Sequence, residues 1–88
     1  MADPEYTVTF ARSARKELER LDRPLVERIF PTIESLAQNP RPTKCKKLSG
    51  VQNRWRIRIG DYRVIYQISD DEKVVDIVAV RHRREAYR

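Results

Sequence analysis

The sequence predicts an α+β fold in which a strand, a helical hairpin and three further strands follow one another along the chain. Residues 6–10 alternate between apolar side chains and threonine, and two segments with helical spacing of apolar residues follow. The second half of the chain is rich in β-branched and aromatic residues, which favour strands. With 88 residues the chain can build one modest core, so residues 1–88 are interpreted as a single domain.

The helical hairpin is predicted from the spacing of apolar residues and from the residues at the helix ends. Residues 14–21 place apolar side chains at i, i+4 and i+7, which is one stripe of a short helix with Ser13 as its N-cap. Pro24 suits the first turn of a second helix, whose apolar face extends over residues 25–37. Few residues connect the helices, so they are expected to be antiparallel, and the proline-rich segment 39–42 ends the second helix.

A two-residue turn, Gly60-Asp61, is expected to join the next two strands as a hairpin. Glycine suits the first position of a type II′ turn, which fixes a register in which Arg58 opposes Arg63. Directly opposed residues share a face, so one face is apolar and is expected to cover the helices. The other face is expected to be open, and it carries Arg54, Arg56, Arg58 and Arg63, together with Ile65 and Gln67.

The last strand is predicted from residues 74–80, VVDIVAV, which are apolar almost throughout. Such a run is typical of an interior strand that is covered on both faces. The remaining residues, RHRREAYR, are too few for a second domain and are interpreted as a tail.

Basic residues are unevenly distributed along the chain. Residues 41–66 and 81–88 hold 12 of the 19 basic residues and only two of the 13 acidic residues. The net charge is therefore +10 in these segments and −4 in the rest of the chain. This asymmetry predicts a strongly positive surface and a polyanionic partner, either a nucleic acid or an acidic protein segment. The alternative is a basic protein whose charge serves only its solubility.

The predicted pairing of Arg58 with Arg63 brings two like charges together, which destabilises a sheet unless an anion binds between them. Guanidinium groups also offer a planar fork that holds phosphate through two hydrogen bonds. The alternative is a solvated polar face that binds nothing. Four arginines without a carboxylate on the same face of the hairpin favour anion binding.

Several chemistries lack their residues in this sequence. Cys45 is the only cysteine, so no intrachain disulfide is predicted. We find no carboxylate pair, no Cys/His metal spacing, no ordered Ser-His-Asp set and no glycine-rich phosphate loop, so neither a metal nor a cofactor is predicted. The N terminus, MADPEYTV, does not read as a secretory signal, and no apolar run is long enough to span a membrane, so a cytoplasmic protein is expected.

Arginines and Tyr87 remain, and such a set can cleave RNA without a metal. The ribose 2′-hydroxyl attacks the adjacent phosphorus while guanidinium groups neutralise the charge that develops. DNA lacks the 2′-hydroxyl, so this route is specific for RNA.

Four segments together resemble the RelE/ParE toxins of type II toxin–antitoxin systems. They are YTVTFARSARKELERL, IESLAQNPRPTKCKKLSG, NRWRIRIGDYRVIYQI and DIVAVRHRREAY, which cover nearly the whole chain. The resemblance implies an N-terminal strand, a helical hairpin and a three-stranded antiparallel meander. The meander completes a four-stranded, mostly antiparallel sheet with a short C-terminal tail or helical turn.

The resemblance also implies a set of site residues. RelE-type toxins use basic residues on the sheet and a tyrosine near the C terminus. The arginine guanidinium stays protonated at physiological pH and is a poor general base, so Arg56 can orient the 2′-hydroxyl or stabilise its alkoxide rather than accept its proton. His82 has a suitable intrinsic pKa for the base, and Tyr87 can protonate the leaving group, stack on a base or anchor the tail. The predicted catalytic residues are Arg56, Arg58, Arg63, Arg83 and Tyr87, and the predicted RNA-binding residues are Lys44, Lys46, Lys47, Arg54, Arg81, His82 and Arg84.

The function that the resemblance implies is that of a RelE-type toxin, an endoribonuclease that enters the ribosomal A site and cleaves mRNA there. Its partners are then the ribosome with its rRNA, the mRNA, and a RelB-like antitoxin that neutralises it, with no membrane involved. One alternative is a ParE-like inhibitor of DNA gyrase that keeps the fold without nuclease activity. Another is a catalytically silent relative that binds RNA or protein through the same basic face.

Overall fold

A computed structural model describes residues 5–50 and 52–82 of the chain. The described part contains two helices and five strands, in agreement with the predicted α+β class. The predicted tail or helical turn, residues 83–88, lies outside the described residues. The elements in chain order are β1 (Thr7–Phe10), α1 (Arg12–Glu19), α2 (Arg23–Ser35), β2 (Lys46–Lys47), β3 (Arg54–Ile59), β4 (Tyr62–Ser69) and β5 (Val74–His82).

The strands form a single sheet in the order β1-β5-β4-β3-β2. Strand β1 runs parallel to β5, and the other three pairings are antiparallel, as the predicted meander requires. The sheet has five strands rather than the expected four, because Lys46 and Lys47 pair with β3. A strand of two lysines contains no alternation of apolar and polar residues, so the sequence pattern could not reveal it.

The two helices begin differently from each other and, in one case, differently from the prediction. Helix α2 begins after Asp22 with Pro24 in its first turn, as predicted. The N-cap of α1 is Ala11 rather than Ser13. The Ser13 hydroxyl instead donates a hydrogen bond of 3.0 Å to the Val78 carbonyl on β5, so this serine joins the helix to the sheet.

The core lies between the two helices and one face of the sheet. Its largest buried side chains are Tyr66, Ile29, Ile33, Leu36, Ile68, Ile77, Val64 and Val75. The Tyr66 hydroxyl donates a hydrogen bond of 2.8 Å to the Pro40 carbonyl, and burial raises the pKa of this hydroxyl. The contact ties the loop after α2 to the centre of the sheet.

Strand β5 is an interior strand, as predicted, but it is not buried equally on both faces. Val75 and Ile77 are buried, whereas Val74, Asp76 and Val78 are half-buried, and Ala79 and Val80 are both buried. The buried residues of both helices belong to the same core cluster as Val75 and Ile77, so the helices cover one face of the sheet. No helix within the described residues is long and apolar enough to cross a membrane.

Candidate anion-binding site

The hairpin of β3 and β4 has the predicted turn and register. Gly60 has a φ of 60°, and Asp61 is not among the described residues with positive φ, as a type II′ turn requires. Arg58 opposes Arg63, and the predicted pairs on either side of them are also present. The four arginines of the hairpin therefore share the face that the helices do not cover.

Strand β5 adds a further arginine to this face, because Arg63 also opposes Arg81. The arginine row, as we name Arg58, Arg63 and Arg81, thus crosses three neighbouring strands in one line. Adjacent strands are about 4.8 Å apart, so the row extends about 10 Å across the sheet. Each neighbouring pair places two cationic side chains directly opposite one another, and such like-charge pairs disfavour a sheet unless negative charge lies nearby.

Arg63, at the centre of the row, is buried, with only 8% of its surface exposed. The sequence predicted an open position for this residue, so that expectation is wrong. Arg63 lies on β4, and long side chains from β3 and β5 flank it on both sides, whereas Arg58 and Arg81 remain exposed. The two flanking arginines concentrate positive charge around this position, and such a concentration of positive charge attracts anions.

A second line of residues runs beside the arginine row on the same face. Lys46 opposes Arg56, Arg56 opposes Ile65, and Ile65 opposes Ala79. This line is cationic toward the β2 edge and aliphatic over β4 and β5. Ala79 is buried and Ile65 is half-buried, so the cations are the main groups that this part of the face offers to a ligand.

Few carboxylates approach this face among the described residues. Asp76 lies on this face, in the line of paired residues that also contains Arg54 and Gln67. Its carboxylate accepts a hydrogen bond of 2.8 Å from the Thr9 hydroxyl. Glu17 reaches the end of the arginine row from α1, and its Oε2 lies 3.1 Å from Nε of Arg81. Glu17 is not among the predicted site residues, because no local pattern in the sequence distinguishes it from the other charged residues of α1.

The structure brings some of the predicted site residues together and separates others. Arg56, Arg58 and Arg63 share one face, as predicted, with Arg54, Lys46 and Arg81 among the predicted RNA-binding residues. Lys44 is exposed in the loop before β2. Lys47 opposes Trp55 and therefore belongs to the opposite face.

His82 is not part of the basic face. It opposes Tyr62, whose side chain lies on the helix-covered side of the sheet, and the two rings meet edge-on with centroids 5.3 Å apart. Predicted site residues Arg83, Arg84 and Tyr87 lie outside the described residues. In residues 5–50 and 52–82 no group of three or more histidine, cysteine, aspartate or glutamate side chains could hold a metal ion.

The described basic face can therefore bind and neutralise phosphate but supplies no obvious proton-transfer group. Guanidinium stays protonated at any physiological pH, so the arginines act as hydrogen-bond donors and fixed positive charges. A charge that grows on phosphate oxygens during a reaction would be stabilised more than the same phosphate in its ground state.

Comparisons with known proteins agree with this architecture. A family model for the ParE toxin of the type II toxin–antitoxin system parDE matches residues 8–87. The toxin RelG of Mycobacterium tuberculosis is 31% identical over 88 residues, which cover 94% of this chain and 97% of that protein. The mRNA interferase toxin RelE of Escherichia coli K12 is 29% identical over 86 residues, with 93% of this chain and 90% of that protein covered.

A solved structure has the same fold. The archaeal RelE–RelB complex from Pyrococcus horikoshii OT3 contains a chain that matches with a TM-score of 0.78 and 30% identity, over 89% of this chain and 94% of that chain. The match of the ParE toxin model to nearly the whole chain, the similarity to toxins named RelE and RelG, and the common fold agree with one another. The chain therefore belongs to the RelE/ParE toxin superfamily of type II toxin–antitoxin systems.

Proposed function

We propose that this toxin is a ribosome-dependent endoribonuclease that cleaves mRNA in the ribosomal A site without a metal ion. The observation that carries the proposal is the arginine row, in which the buried Arg63 lies between Arg58 and Arg81. A similar protein, the RelE toxin of Escherichia coli K12, is named an mRNA interferase, which supports RNA as the substrate.

In the proposed reaction, the 2′-hydroxyl of one nucleotide attacks the phosphorus that joins it to the next. The bond to the 5′-oxygen breaks, leaving a 2′,3′-cyclic phosphate on one fragment and a 5′-hydroxyl on the other. Arg58 and Arg63 hold the phosphate oxygens and stabilise the charge that increases on them as the bond to the 2′-oxygen forms.

The remaining roles go to residues beside the arginine row or beyond the described part of the chain. Arg56 lies two residues from Arg58 on the same face and orients the 2′-hydroxyl or stabilises its alkoxide. Arg83 adds positive charge at the phosphate, and Tyr87 protonates the departing 5′-oxygen. His82 lies on the other face with its ring against Tyr62, so we assign it no proton transfer.

We further propose that the partners are the ribosome with its rRNA, the mRNA and a RelB-like antitoxin in the cytoplasm. The solved complex from Pyrococcus horikoshii OT3 pairs a RelE chain with RelB, which supports an antitoxin of that kind. The antitoxin would bring carboxylates toward Arg56, Arg58, Arg63 or Arg83, or displace the tail that carries Tyr87. Lys44, Lys46, Lys47, Arg54 and Arg84 would contact the RNA backbone, with Lys47 doing so from the opposite face of the two-residue strand β2.

The proposal is tested by producing the toxin without antitoxin in cells and mapping the 5′ ends of the mRNA, with plasmid topology followed in parallel. In-frame cuts within translated messages are the expected result. Accumulation of gyrase–DNA cleavage complexes while mRNA stays intact would contradict the proposal and favour the ParE-like alternative.

Two variants make this experiment specific to the site. Arg63→Ala should abolish most of the mRNA cuts. Arg23→Ala is the matched control, because Arg23 lies on α2 in an exposed i,i+4 pair with Glu27 and its side chain is 89% exposed. Equal loss of cuts in both variants would show that the effect does not come from the arginine row.

A further inference from the structure

Strand β5 extends beyond the strand that covers its edge. The last pair between β1 and β5 joins Phe10 to Ile77, and β5 then continues to His82. The backbone groups on this side of residues 78–82 would face solvent as an open sheet edge, which proteins usually cover or interrupt.

Helix α1 and the residue before it, Ala11, cover this edge without a further strand. The Ala11 amide donates to the Ile77 carbonyl at 2.9 Å, and the Ser13 hydroxyl donates to the Val78 carbonyl at 3.0 Å. The Val80 amide then donates to Oε1 of Glu17 at 2.8 Å. Ser13 and Glu17 are four residues apart, so they lie on the same face of α1 and reach successive groups of the strand.

The second carboxylate oxygen of Glu17 contacts a side chain rather than the backbone. Oε2 accepts a hydrogen bond of 3.1 Å from Nε of Arg81, the residue that follows Val80. One carboxylate thus holds both the backbone of β5 and the side chain at the end of the arginine row. Its side chain is 26% exposed, so solvent screens this contact less than it would screen a pair at the open surface.

The contact with Glu17 also orients the Arg81 guanidinium. Glu17 accepts the hydrogen bond from Nε of Arg81, and no other hydrogen bond of Arg81 is found within the described residues. The two terminal nitrogens of the Arg81 guanidinium are therefore available to a ligand. The Arg81 side chain is 46% exposed, in keeping with this orientation. A guanidinium that presents its terminal nitrogens in a fixed direction loses less conformational entropy when it binds phosphate.

Without Glu17, two effects would move Arg81 away from the row. Its neighbour across the sheet is Arg63, whose like charge repels it. A long exposed arginine side chain also has many rotamers available, so it would extend into solvent rather than remain beside another cation. The carboxylate opposes both effects and leaves the row with a defined third member.

We propose that Glu17 is a positioning residue that holds Arg81 as the third phosphate-binding arginine of the row. The inference rests on the proposed function and deepens it, because a row of about 10 Å is wider than one phosphate group. Arg58 and Arg63 address the phosphate that is cleaved, while Arg81 holds a neighbouring phosphate of the same strand. The substrate is therefore an RNA strand that crosses the β-strands, rather than a single nucleotide.

The first test is a double-mutant cycle on single-turnover cleavage of ribosome-bound mRNA. Glu17→Gln keeps an acceptor for the Val80 amide but removes the charge that holds Arg81, so the variant should fold. We expect this variant and Arg81→Ala each to slow cleavage about tenfold, which is about 1.4 kcal/mol, and the double variant to be no slower. Glu19→Gln, an exposed glutamate on the same helix, is the control and should cleave at the normal rate.

The second test does not depend on cleavage. In NMR spectra of the arginine Nε–H groups, addition of a short single-stranded RNA should shift the Arg81 signal in the unmodified toxin and not in Glu17→Gln. If the unmodified toxin shows this shift but never cleaves mRNA, the endonuclease function is wrong and the positioning role stands. An unchanged RNA-induced shift in Glu17→Gln, or rate losses that add in the double variant, would overturn the positioning role.

Discussion

Two arginine environments in this toxin contrast sharply, although both involve the same sheet. Arg41, in the loop after α2, donates two hydrogen bonds to the Asp70 carboxylate, at 3.2 and 2.9 Å, and its guanidinium lies 5.2 Å from the centre of the Trp55 ring. Arg63 instead has another arginine directly opposite it on each adjacent strand. Arg41 is exposed, whereas Arg63 is buried.

The difference separates an arginine held by a carboxylate and an aromatic ring from one that lies in a row of like charges. A bidentate carboxylate and an aromatic ring engage the Arg41 fork within the protein itself. Arg63 lies between two other arginines, so positive charge is concentrated around it, which attracts phosphate. Position in the sheet, rather than residue type, therefore distinguishes the arginines that we propose to bind the substrate.

The largest expected effect is on cleavage by Arg63→Ala. Removal of a donor that acts most strongly in the transition state should slow single-turnover cleavage by roughly 10²-fold. Ribosome affinity should change less, because other cations maintain docking. Arg41→Ala serves as the contrasting variant and should cleave at the normal rate, since Asp70 and Trp55 already engage this side chain. An equal loss of cleavage in the two variants would contradict a specific role of Arg63 in the reaction.

A smaller loss is expected for Arg63→Lys. Lysine keeps the positive charge but lacks the planar fork, so it should recover part of the cleavage rate and fall between the unmodified toxin and Arg63→Ala. The measurement is the same single-turnover assay at saturating ribosome concentration. Full recovery by lysine would show that only charge matters at this position, and that two-point contact with phosphate is not required.

The hairpin and its arginine face could be predicted because local sequence determines them. Gly60 suits the turn, the turn fixes the register, and alternation assigns each side chain to a face. The pairing of Arg58 with Arg63 followed from these steps alone and is confirmed.

The parts of the site that the sequence could not reveal depend on contacts between distant segments. Arg81 was predicted to bind RNA, but its alignment with Arg63 depends on the pairing of β4 with β5, which contains an irregularity between Ile65 and Tyr66. Such an irregularity changes the face of the sheet on which every later side chain of the strand lies. Glu17 contacts a strand 63 residues further along the chain, and no local pattern marks that contact.

Arg58→Ala should have a modest effect that is visible in the salt dependence of RNA binding. Arg58 is exposed at the end of the row, and each phosphate contact releases counterions on binding. The slope of log K against log salt for a single-stranded RNA should therefore become less steep by about 0.7. Fluorescence anisotropy over a salt series measures it. Arg41→Ala should leave the slope unchanged, and a slope that is the same in all three proteins would remove Arg58 from the RNA contacts.

The smallest expected effect is on stability at low pH, and it involves the pair of Arg41 and Asp70 rather than the arginine row. Hydrogen bonds from Arg41 and then from the Tyr6 hydroxyl lower the pKa of Asp70 below its usual value of 3.8. A carboxylate with a lowered pKa in the folded state stabilises the protein above its unfolded pKa, and this contribution is lost as the pH falls through the folded pKa. Both side chains are largely solvent-accessible, so the effect is small.

Thermal unfolding over a pH series tests this linkage. Near neutral pH the unmodified toxin should unfold at a slightly higher temperature than Arg41→Ala, and the difference should vanish as Asp70 is protonated below pH 3.8. Arg23→Ala, whose partner Glu27 is exposed, is the control for loss of a surface charge. A difference that persisted unchanged in acid would mean that Arg41 stabilises the fold through its contact with Trp55 and not through the carboxylate, so the two environments would differ in packing rather than in charge.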